Sequence, residues 1–560
     1  MIIKQLLIKE LKSIDTLYDW QNLVTPCVDS AKGDFTIVCF PLAKEFHKAP
    51  QIIATEIASV VDKCDLVDKC EVVNGYLNMF LDKAKVVAKI VECYDNGKLF
   101  EVEQVGKGKT AFIDFSSINL AKYMHMGHIL GTAIGASFAR ILELVGFKTV
   151  RINYVGDSGT SFGKVIAGYE MWGNKDDVEA RGVDALQELY VKFSREEEEN
   201  PELREKAKQA FVRFENGDPE ARRLHKWFSE ITINEAKSLF ELMNIEFDDW
   251  RGEAYYCGKI LQDSQELLMD SGIVEESQGA KIIDMTDAGL GVAIIEKSDG
   301  ASSYLSRDIC ALEDRYAKYK FDKGFYETGN EQSTHFAQLF ETMKRLNRPF
   351  AYDLRHISHG LLTLPTGKIS SRMGKQAVLK DIFEVAINKS KQMLIDRNYT
   401  ADKVEEISKA VGVSAVLFSV LKSERVKETV FDLERAISFD GETSPYIQYT
   451  YARAHNVIKK AVGSKELKDI STICNAECYE LIKLLGNFNA TIMSAYKDAE
   501  PCYISRYILS ICKQFNIIYN QYRVINDDTI DTYRLQLCQM TADMLARGMK
   551  LLGITVIDVM

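Results

Sequence analysis

Asp114-Phe-Ser-Ser-Ile-Asn-Leu-Ala-Lys-Tyr-Met-His-Met-Gly-His128 decides how the rest of the sequence is read. It crowds a carboxylate, an amide, a lysine and two of the chain's eight histidines into one strand-to-helix crossing. Upstream, Ala111–Phe115 reads as a short buried strand. Downstream, apolar residues recur at helical spacing from His128 to Leu144 until Gly146 ends the run. The pattern therefore sets His125 and His128 at a helix start, where unpaired N–H groups and the positive end of the helix dipole favour phosphate. Gly127 leaves room for a nucleotide, and an imidazole pair there can donate to phosphate oxygens. Lys122, three residues before His125, reaches the same phosphates. Two histidines capping a surface helix, with a surface lysine beside them, would leave the same local pattern.

Working outward, 560 residues are enough for several domains. An apolar fraction of 46%, a charged fraction of 27% and nine prolines are the composition of a globular chain without long low-complexity stretches. The first residues, Met-Ile-Ile-Lys-Gln-Leu-Leu-Ile-Lys-Glu-Leu-Lys, form an amphipathic pattern rather than a signal peptide, and no run of about 18 apolar residues marks a membrane span. A cytoplasmic location is expected. Twelve cysteines are scattered without a Cys-x-x-Cys pair, so reduced, mostly buried thiols are expected and no metal site is assigned. A formal charge of −11 does not exclude a nucleic-acid partner, because binding depends on a local basic face.

Along the chain, residues 1–105 mix helices with short strands, Phe35–Phe40 and Tyr76–Leu81, as a small α+β unit. Residues 106–395 carry the order strand, helix, strand twice: Ala111–Phe115, His128–Leu144 and Lys148–Val155, then Gly324–Thr328, Glu331–Leu346 and Leu354–His359. That is a doubly wound parallel sheet, whose ligands gather at the carboxyl ends of its strands. The highly charged stretch 174–249 reads as an inserted set of solvated helices. From 396 to 560 only Gly412, Gly441, Gly463, Gly486, Gly548 and Gly553 remain of 34 glycines, and apolar residues recur every three or four positions, so this part is all-helical. In it Tyr446, Tyr449 and Arg453 share one helical face. Such a stripe serves as core packing, or for stacking on unpaired bases and neutralising phosphates.

Taken together these segments resemble the arginyl-tRNA synthetases, a family of class I aminoacyl-tRNA synthetases, from end to end. His125-Met-Gly-His128 is similar to the class signature HIGH, and Phe115-Ser-Ser-Ile-Asn-Leu-Ala-Lys122 to the family's lead-in. Arg151-Ile-Asn-Tyr-Val-Gly-Asp157 follows in the expected place. Lys368-Ile-Ser-Ser-Arg372 corresponds to the KMSK loop, and Phe431-Asp-Leu, Gln448-Tyr-Thr-Tyr-Ala-Arg453 and Leu552-Gly-Ile-Thr-Val-Ile-Asp-Val-Met560 to the anticodon-binding domain. The resemblance implies a Rossmann-type catalytic domain with a helical insertion, an α+β N-terminal domain that touches the tRNA elbow, and an all-α anticodon-binding domain.

It also implies activation of L-arginine by ATP, with Mg2+ accompanying the nucleotide, and transfer to the 3′ end of tRNA(Arg) by a monomeric enzyme. His125, Gly127 and His128, with Lys368, Ser370 and Ser371 of the loop, would hold ATP, and Lys122 would assist. No general base is required, because a carboxylate already is the nucleophile in an in-line displacement at phosphorus. Arginine's planar cation needs carboxylates. By resemblance these are Asp114 and Asp308, with Tyr304 and Gln332 lining the pocket and Ser116 and Asn119 holding the substrate's amine and carboxylate. Tyr446, Tyr449, Arg453, Tyr519 and Met560 would meet the anticodon loop.

The departures are Ser158 where the family has tryptophan, Ser161 where it has glutamine, Ser371 for the second lysine of KMSK and Ile369 for its methionine. Two rivals stand beside this reading. Among other class I synthetases, a glutamyl type would want cations in place of Asp114 and Asp308, and a cysteinyl type a zinc-ligand cluster. A non-catalytic tRNA-binding paralogue has only Ser158 and Ser161 in its favour.

Overall fold

The computed structural model describes residues 2–27, 29–298, 300, 302–365, 378–396, 401–461, 465–526 and 529–560. At its centre lies a four-stranded, wholly parallel sheet in the order Leu354–His359, Lys323–Gly329, Thr110–Asp114, Lys148–Ile152. Ala111, Phe112 and Ile113 are fully buried, as a strand covered on both faces requires. The helix Met126–Leu144 carries the chain from Thr110–Asp114 outward to one edge, and Ser333–Arg345 carries it from Lys323–Gly329 to the other. The winding direction reverses between those two central strands, which opens a crevice at their carboxyl ends, beyond Asp114 and Gly329.

The expected strand through Val155 stops at Ile152. Asn153 leaves the ladder because its backbone N–H donates to Asp249 at 2.9 Å while its side-chain oxygen accepts from Ile118 N–H at 3.3 Å. The inserted helices begin earlier than expected, at Thr160, and continue through Pro219–Leu242. They are more than a solvated surface: Phe193, Phe214 and Phe228 close a core of their own, which also buries Leu120 and Ala121 of the strand-to-helix crossing. An antiparallel sheet of Glu275–Ser277, Ala280–Asp284 and Val292–Glu296 follows, which no local pattern announces.

The first hundred residues form an antiparallel sheet of four strands, including Phe35–Val38 and Tyr76–Leu81. Asn74 and Gly75, both at positive φ, turn Val67–Val73 onto Tyr76–Leu81. The opening helix Ile2–Ile14 buries Ile3, Leu7, Ile8 and Leu11, and Ile2 N–H donates to Gly486 O at 2.9 Å. The C-terminal helices include Ala401–Leu421, Ser444–Lys460, Cys502–Gln521 and Thr532–Leu551, with a small sheet of Lys465–Leu467, Ile525–Asn526 and Thr529–Asp531 at one end. One continuous apolar core runs from the first helix through Met126–Leu144 to these helices.

Candidate active site

His125 is the N-cap of the Met126–Leu144 helix. Gly127 N–H donates to His125 Nδ1 at 3.0 Å, and His125 N–H donates to His128 Nδ1 at 3.1 Å. A backbone N–H always carries its proton, so His125 Nδ1 is an acceptor and that ring keeps its proton on Nε2, whereas His128 Nδ1 lies between the His125 N–H and the His125 carbonyl oxygen, 3.3 Å away, and its role depends on the tautomer. The rings lie 3.9 Å apart. Burial, then the neighbouring Lys122 charge, lowers the proton affinity of His125; burial, then His125, pushes His128 down to about 4. Both imidazoles are thus neutral donors at pH 7. A Cβ on Gly127 would lie 2.8 Å from the His125 ring, so glycine is needed here by the cap as well as by a nucleotide.

The crossing before them is strained: Ser116, Ser117 and Ala121 all hold positive φ without being glycine. Surrounding bonds enforce it. Thr132 Oγ1 donates to Ser116 Oγ at 2.8 Å, Ala121 N–H donates to Thr232 Oγ1 at 3.1 Å, and Leu120 N–H donates to Gly156 O at 3.1 Å. Asn119 is left exposed at the mouth of a cavity of about 1140 Å3, whose wall includes Lys122, His125 and His128. Lys122 Nζ sits 4.5 Å over the Tyr190 ring, from the inserted helix Val183–Glu199. Arg181, Gln187, Glu188, Lys192 and Arg195 complete that wall, so the insertion forms one side of the cleft.

Asp114, 5% exposed, ends its strand against an arginine of the chain itself: Arg315 Nη2 lies 2.8 Å from Asp114 Oδ2. The Arg315 guanidinium is ringed by Phe112, Tyr154 and Tyr326 at 5.1–5.6 Å. Burial pushes the Asp114 carboxyl up, to about 6, against the pull of Arg315 and with a further push from Asp308. One oxygen of Asp114 is therefore already paired within the chain. Its Oδ1 is buried without a hydrogen-bond partner among the described residues, as are the Tyr154 and Tyr326 hydroxyls.

Asp308, in the helix Tyr304–Tyr319, accepts from His335 Nε2 at 2.6 Å rather than pairing with Arg307. Arg307 instead meets Glu253 at 3.4 Å. Burial pushes Glu253 up to about 7, and the charges of Asp308 and Asp157 add to that push. Asp308, Glu253, Asp114 and the Tyr154 hydroxyl thus share one electrostatic neighbourhood. Tyr304 is 65% exposed, and Gln332 is exposed in the turn before Ser333–Arg345, so both stand at the rim. Ser158 Oγ is buried without a hydrogen-bond partner among the described residues. Lys368, Ser370 and Ser371 lie outside the described residues.

A second cavity, about 470 Å3, opens between the helices Ser444–Lys460 and Cys502–Gln521. Tyr449, Arg453, Tyr519 and Met560 line it together. The Arg453 guanidinium lies 4.8 Å from the Tyr449 ring and 4.6 Å from Tyr519, and donates to Asn516 Oδ1 at 2.6 Å. Tyr446 stands behind this wall, accepting from Asn516 Nδ2 at 3.0 Å.

Sequence reasoning missed Arg315, Glu253, His335 and Tyr190. Arg315 had a signal: seven residues after Asp308, it lies on the same helical face. The others come from segments remote in sequence, with no local pattern to mark them.

Three family descriptions match the chain: "tRNA synthetases class I (R), catalytic domain" over residues 89–433, "DALR anticodon binding domain" over 447–560, and "Arginyl tRNA synthetase N terminal domain" over 1–81. An arginine--tRNA ligase of Halothermothrix orenii is 38% identical over 526 residues, 93% of each chain. That of Ligilactobacillus salivarius is 38% identical over 524 residues, 93% of this chain and 92% of its own. In fold, the arginyl-tRNA synthetase of Thermus thermophilus superposes with a TM-score of 0.81 at 22% identity, covering 100% of this chain and 99% of its own. That of Plasmodium falciparum gives 0.80 at 21%, covering 100% and 98%. With the whole catalytic core matched and more than nine-tenths of the chain aligned to these relatives, the chain belongs to the arginyl-tRNA synthetase family of class I.

Proposed function

We propose that the chain joins L-arginine to tRNA(Arg), using ATP to form arginyl-adenylate and then transferring the arginyl group to the terminal adenosine. The observation that carries this reading is the pair of neutral histidines at the helix start. His125 offers an Nε2–H at the helix start, with the His128 ring 3.9 Å away, in the same cleft as Lys122 and Asn119. Such donors are matched to charge that grows on phosphate oxygens as the arginine carboxylate attacks phosphorus and pyrophosphate leaves. Because both rings are already neutral, they take part as hydrogen-bond donors and not as proton carriers.

Arginine's side chain would lie toward Asp308, with Glu253 and the free oxygen of Asp114 beside it, while Ser116 and Asn119 orient its other end. Tyr304 and Gln332 at the rim are suited to closing over it. Lys368, Ser370 and Ser371 are assigned to the pyrophosphate by their place in the sequence alone. Among the described residues no three His, Cys, Asp or Glu side chains converge as a metal-binding group. Mg2+ in this reading belongs with the nucleotide's phosphates, and no step depends on a protein-held ion.

The division of labour follows the chain: residues 1–105 for the tRNA elbow, 106–395 for chemistry, 396–560 for the anticodon, with Tyr449, Arg453, Tyr519 and Met560 facing the anticodon loop and Tyr446 supporting them through Asn516. Among the described residues no helix is long and apolar enough to cross a membrane. A cytoplasmic monomer fits the role. The test is pyrophosphate exchange into ATP, run across the twenty amino acids with and without tRNA(Arg). Exchange is expected with arginine and strong enhancement by the tRNA; exchange driven by another amino acid would overturn the assignment.

A further inference from the structure

With 81 acidic against 70 basic side chains, this protein has carboxylates to spare for its cations. Arg140, Arg547 and Lys550 nevertheless have no ion-pair partner among the described residues, and all three line one cavity of about 670 Å3. The cavity lies where the last turns of the Met126–Leu144 helix meet the end of the Thr532–Leu551 helix.

Two of the three are fixed by something other than a carboxylate, and Lys550 is exposed. Arg140 Nη2 donates to the Asn244 carbonyl at 2.6 Å, and burial, then the Arg151 charge, pushes its guanidinium down to about 10. Arg547 stacks with its guanidinium carbon 4.2 Å from the Phe100 ring. Gly553 holds a φ of +74°, and a Cβ there would lie 3.0 Å from Arg140 Nη1, so glycine keeps the guanidinium uncrowded. Asp543, the one carboxylate on this wall among the described residues, accepts from the Tyr94 hydroxyl at 3.0 Å. Glu143 offsets part of the burial of Arg140 but makes no ion pair with it, and an arriving anion lowers the remaining cost of the half-buried guanidinium.

The position narrows the choice of anion. Val556 lines this cavity and Met560 lines the aromatic pocket of Tyr449 and Arg453. Four residues of chain reach at most about 14 Å, so a polyanion seated in one cavity passes close to the other. A free phosphate lacks that continuity.

We propose that the cavity of Arg140, Arg547 and Lys550 seats backbone phosphates of the tRNA, as a docking site separate from both the ATP cleft and the aromatic pocket. The proposal rests on the reading of the chain as a tRNA ligase. Contacts of this kind fix the register of the RNA without reading its bases.

The test is the full-length Arg547→Gln/Lys550→Gln variant, both positions being exposed, in tRNA(Arg) binding between about 50 and 200 mM salt. The dissociation constant is expected to rise about tenfold near 0.1 M salt, and the slope of log K against log salt to shrink by about one per cation removed. A tRNA with a substituted anticodon is expected to lose the same factor. Should the double variant unfold, Lys550→Gln alone is expected to shrink the slope by about one. Unchanged affinity and slope in wild-type-like folded variants would overturn the proposal. So would tight binding of inorganic phosphate that the substitutions abolish while tRNA affinity stays put, since the site would then belong to a free anion. Wild-type aminoacylation separates the two levels: no charging of tRNA(Arg) by the unmodified protein sinks the functional reading, whereas normal charging with an insensitive double variant sinks this site alone.

Discussion

Asp308 and Asp114 carry the same charge, yet the fold gives them different partners. Arg315 occupies one oxygen of Asp114, whereas Asp308 among the described residues pairs with His335, a residue able to yield its hydrogen bond when a stronger cation arrives. In the proposed site, Asp308 is the carboxylate on which discrimination for a guanidinium depends most. Asp308→Asn is expected to lower kcat/KM for arginine at least about 100-fold, roughly 3 kcal/mol, with the ATP KM nearly unchanged; an unaltered arginine response would remove Asp308 from the pocket. Glu253 adds a pH signature. Its carboxyl, pushed up to about 7, is protonated below that value in the empty site. A cationic ligand favours the ionised form, so binding releases a proton and the arginine KM is expected to fall as pH rises from about 6 to 8. Glu253→Gln should flatten that profile, and a wild-type KM indifferent to pH across this window would exclude Glu253 from the cation's surroundings. Asp114 and Asp308 were legible in the sequence through their motifs. Arg315 carried only its spacing from Asp308 on one helix, and Glu253 and His335 carried nothing local, because what makes them matter is proximity across elements far apart in the chain.

The helix Met126–Leu144 shows how an element carries a site. It is apolar on nearly every side and buried accordingly, so its first turn is held rigidly at the crevice. That burial has a consequence for stability. His128 resists protonation down to about 4, while an unfolded histidine protonates near 6.5. Between those values the unfolded chain binds a proton that the native state refuses, so stability must decline as pH falls, by up to about 3 kcal/mol from this residue. His356, also pushed down to about 4 by burial, acts in the same direction; His359, raised by Glu327, opposes it. Asp114 and Glu253, whose carboxyls are pushed up to about 6 and about 7, also oppose it, so the wild-type urea midpoint is expected to fall more, or rise less, between pH 7 and 4.5 than that of His128→Asn; equal slopes for the two proteins would mean that His128 titrates normally. The same element marks how far local pattern reaches. The central strands and their helices were legible because buried strands and amphipathic helices leave distinct periods. The sheet Glu275–Glu296 was not: its first strand is fully exposed and its last alternates over only five residues. The hairpin at Asn74-Gly75 could have been found from that dipeptide.

Over the whole molecule, the histidine helix and the Tyr449–Arg453 helix are joined by one unbroken core. Ile129, Leu130, Ala133 and Ile134 of the first belong to the same apolar cluster as Val413, Val416 and Leu417 of Ala401–Leu421 and Ile447, Tyr451 and Ala454 of the second. Such packing is a physical path by which RNA at one end can bias geometry at the other. The test begins at Arg453, held between Tyr449 and Tyr519 where bases can stack. Arg453→Ala is expected to weaken tRNA(Arg) by about 1–3 kcal/mol, roughly 5- to 150-fold in KM, as loss of a stacking cation does elsewhere. If the core transmits occupancy, tRNA-stimulated pyrophosphate exchange will weaken in Arg453→Ala at low tRNA and recover fully once the tRNA is saturating. Stimulation that stays low at saturation would place Arg453 in the signal itself rather than in the grip. An unchanged KM would mean that the aromatic pocket is core packing, the ordinary alternative that its sequence stripe left open.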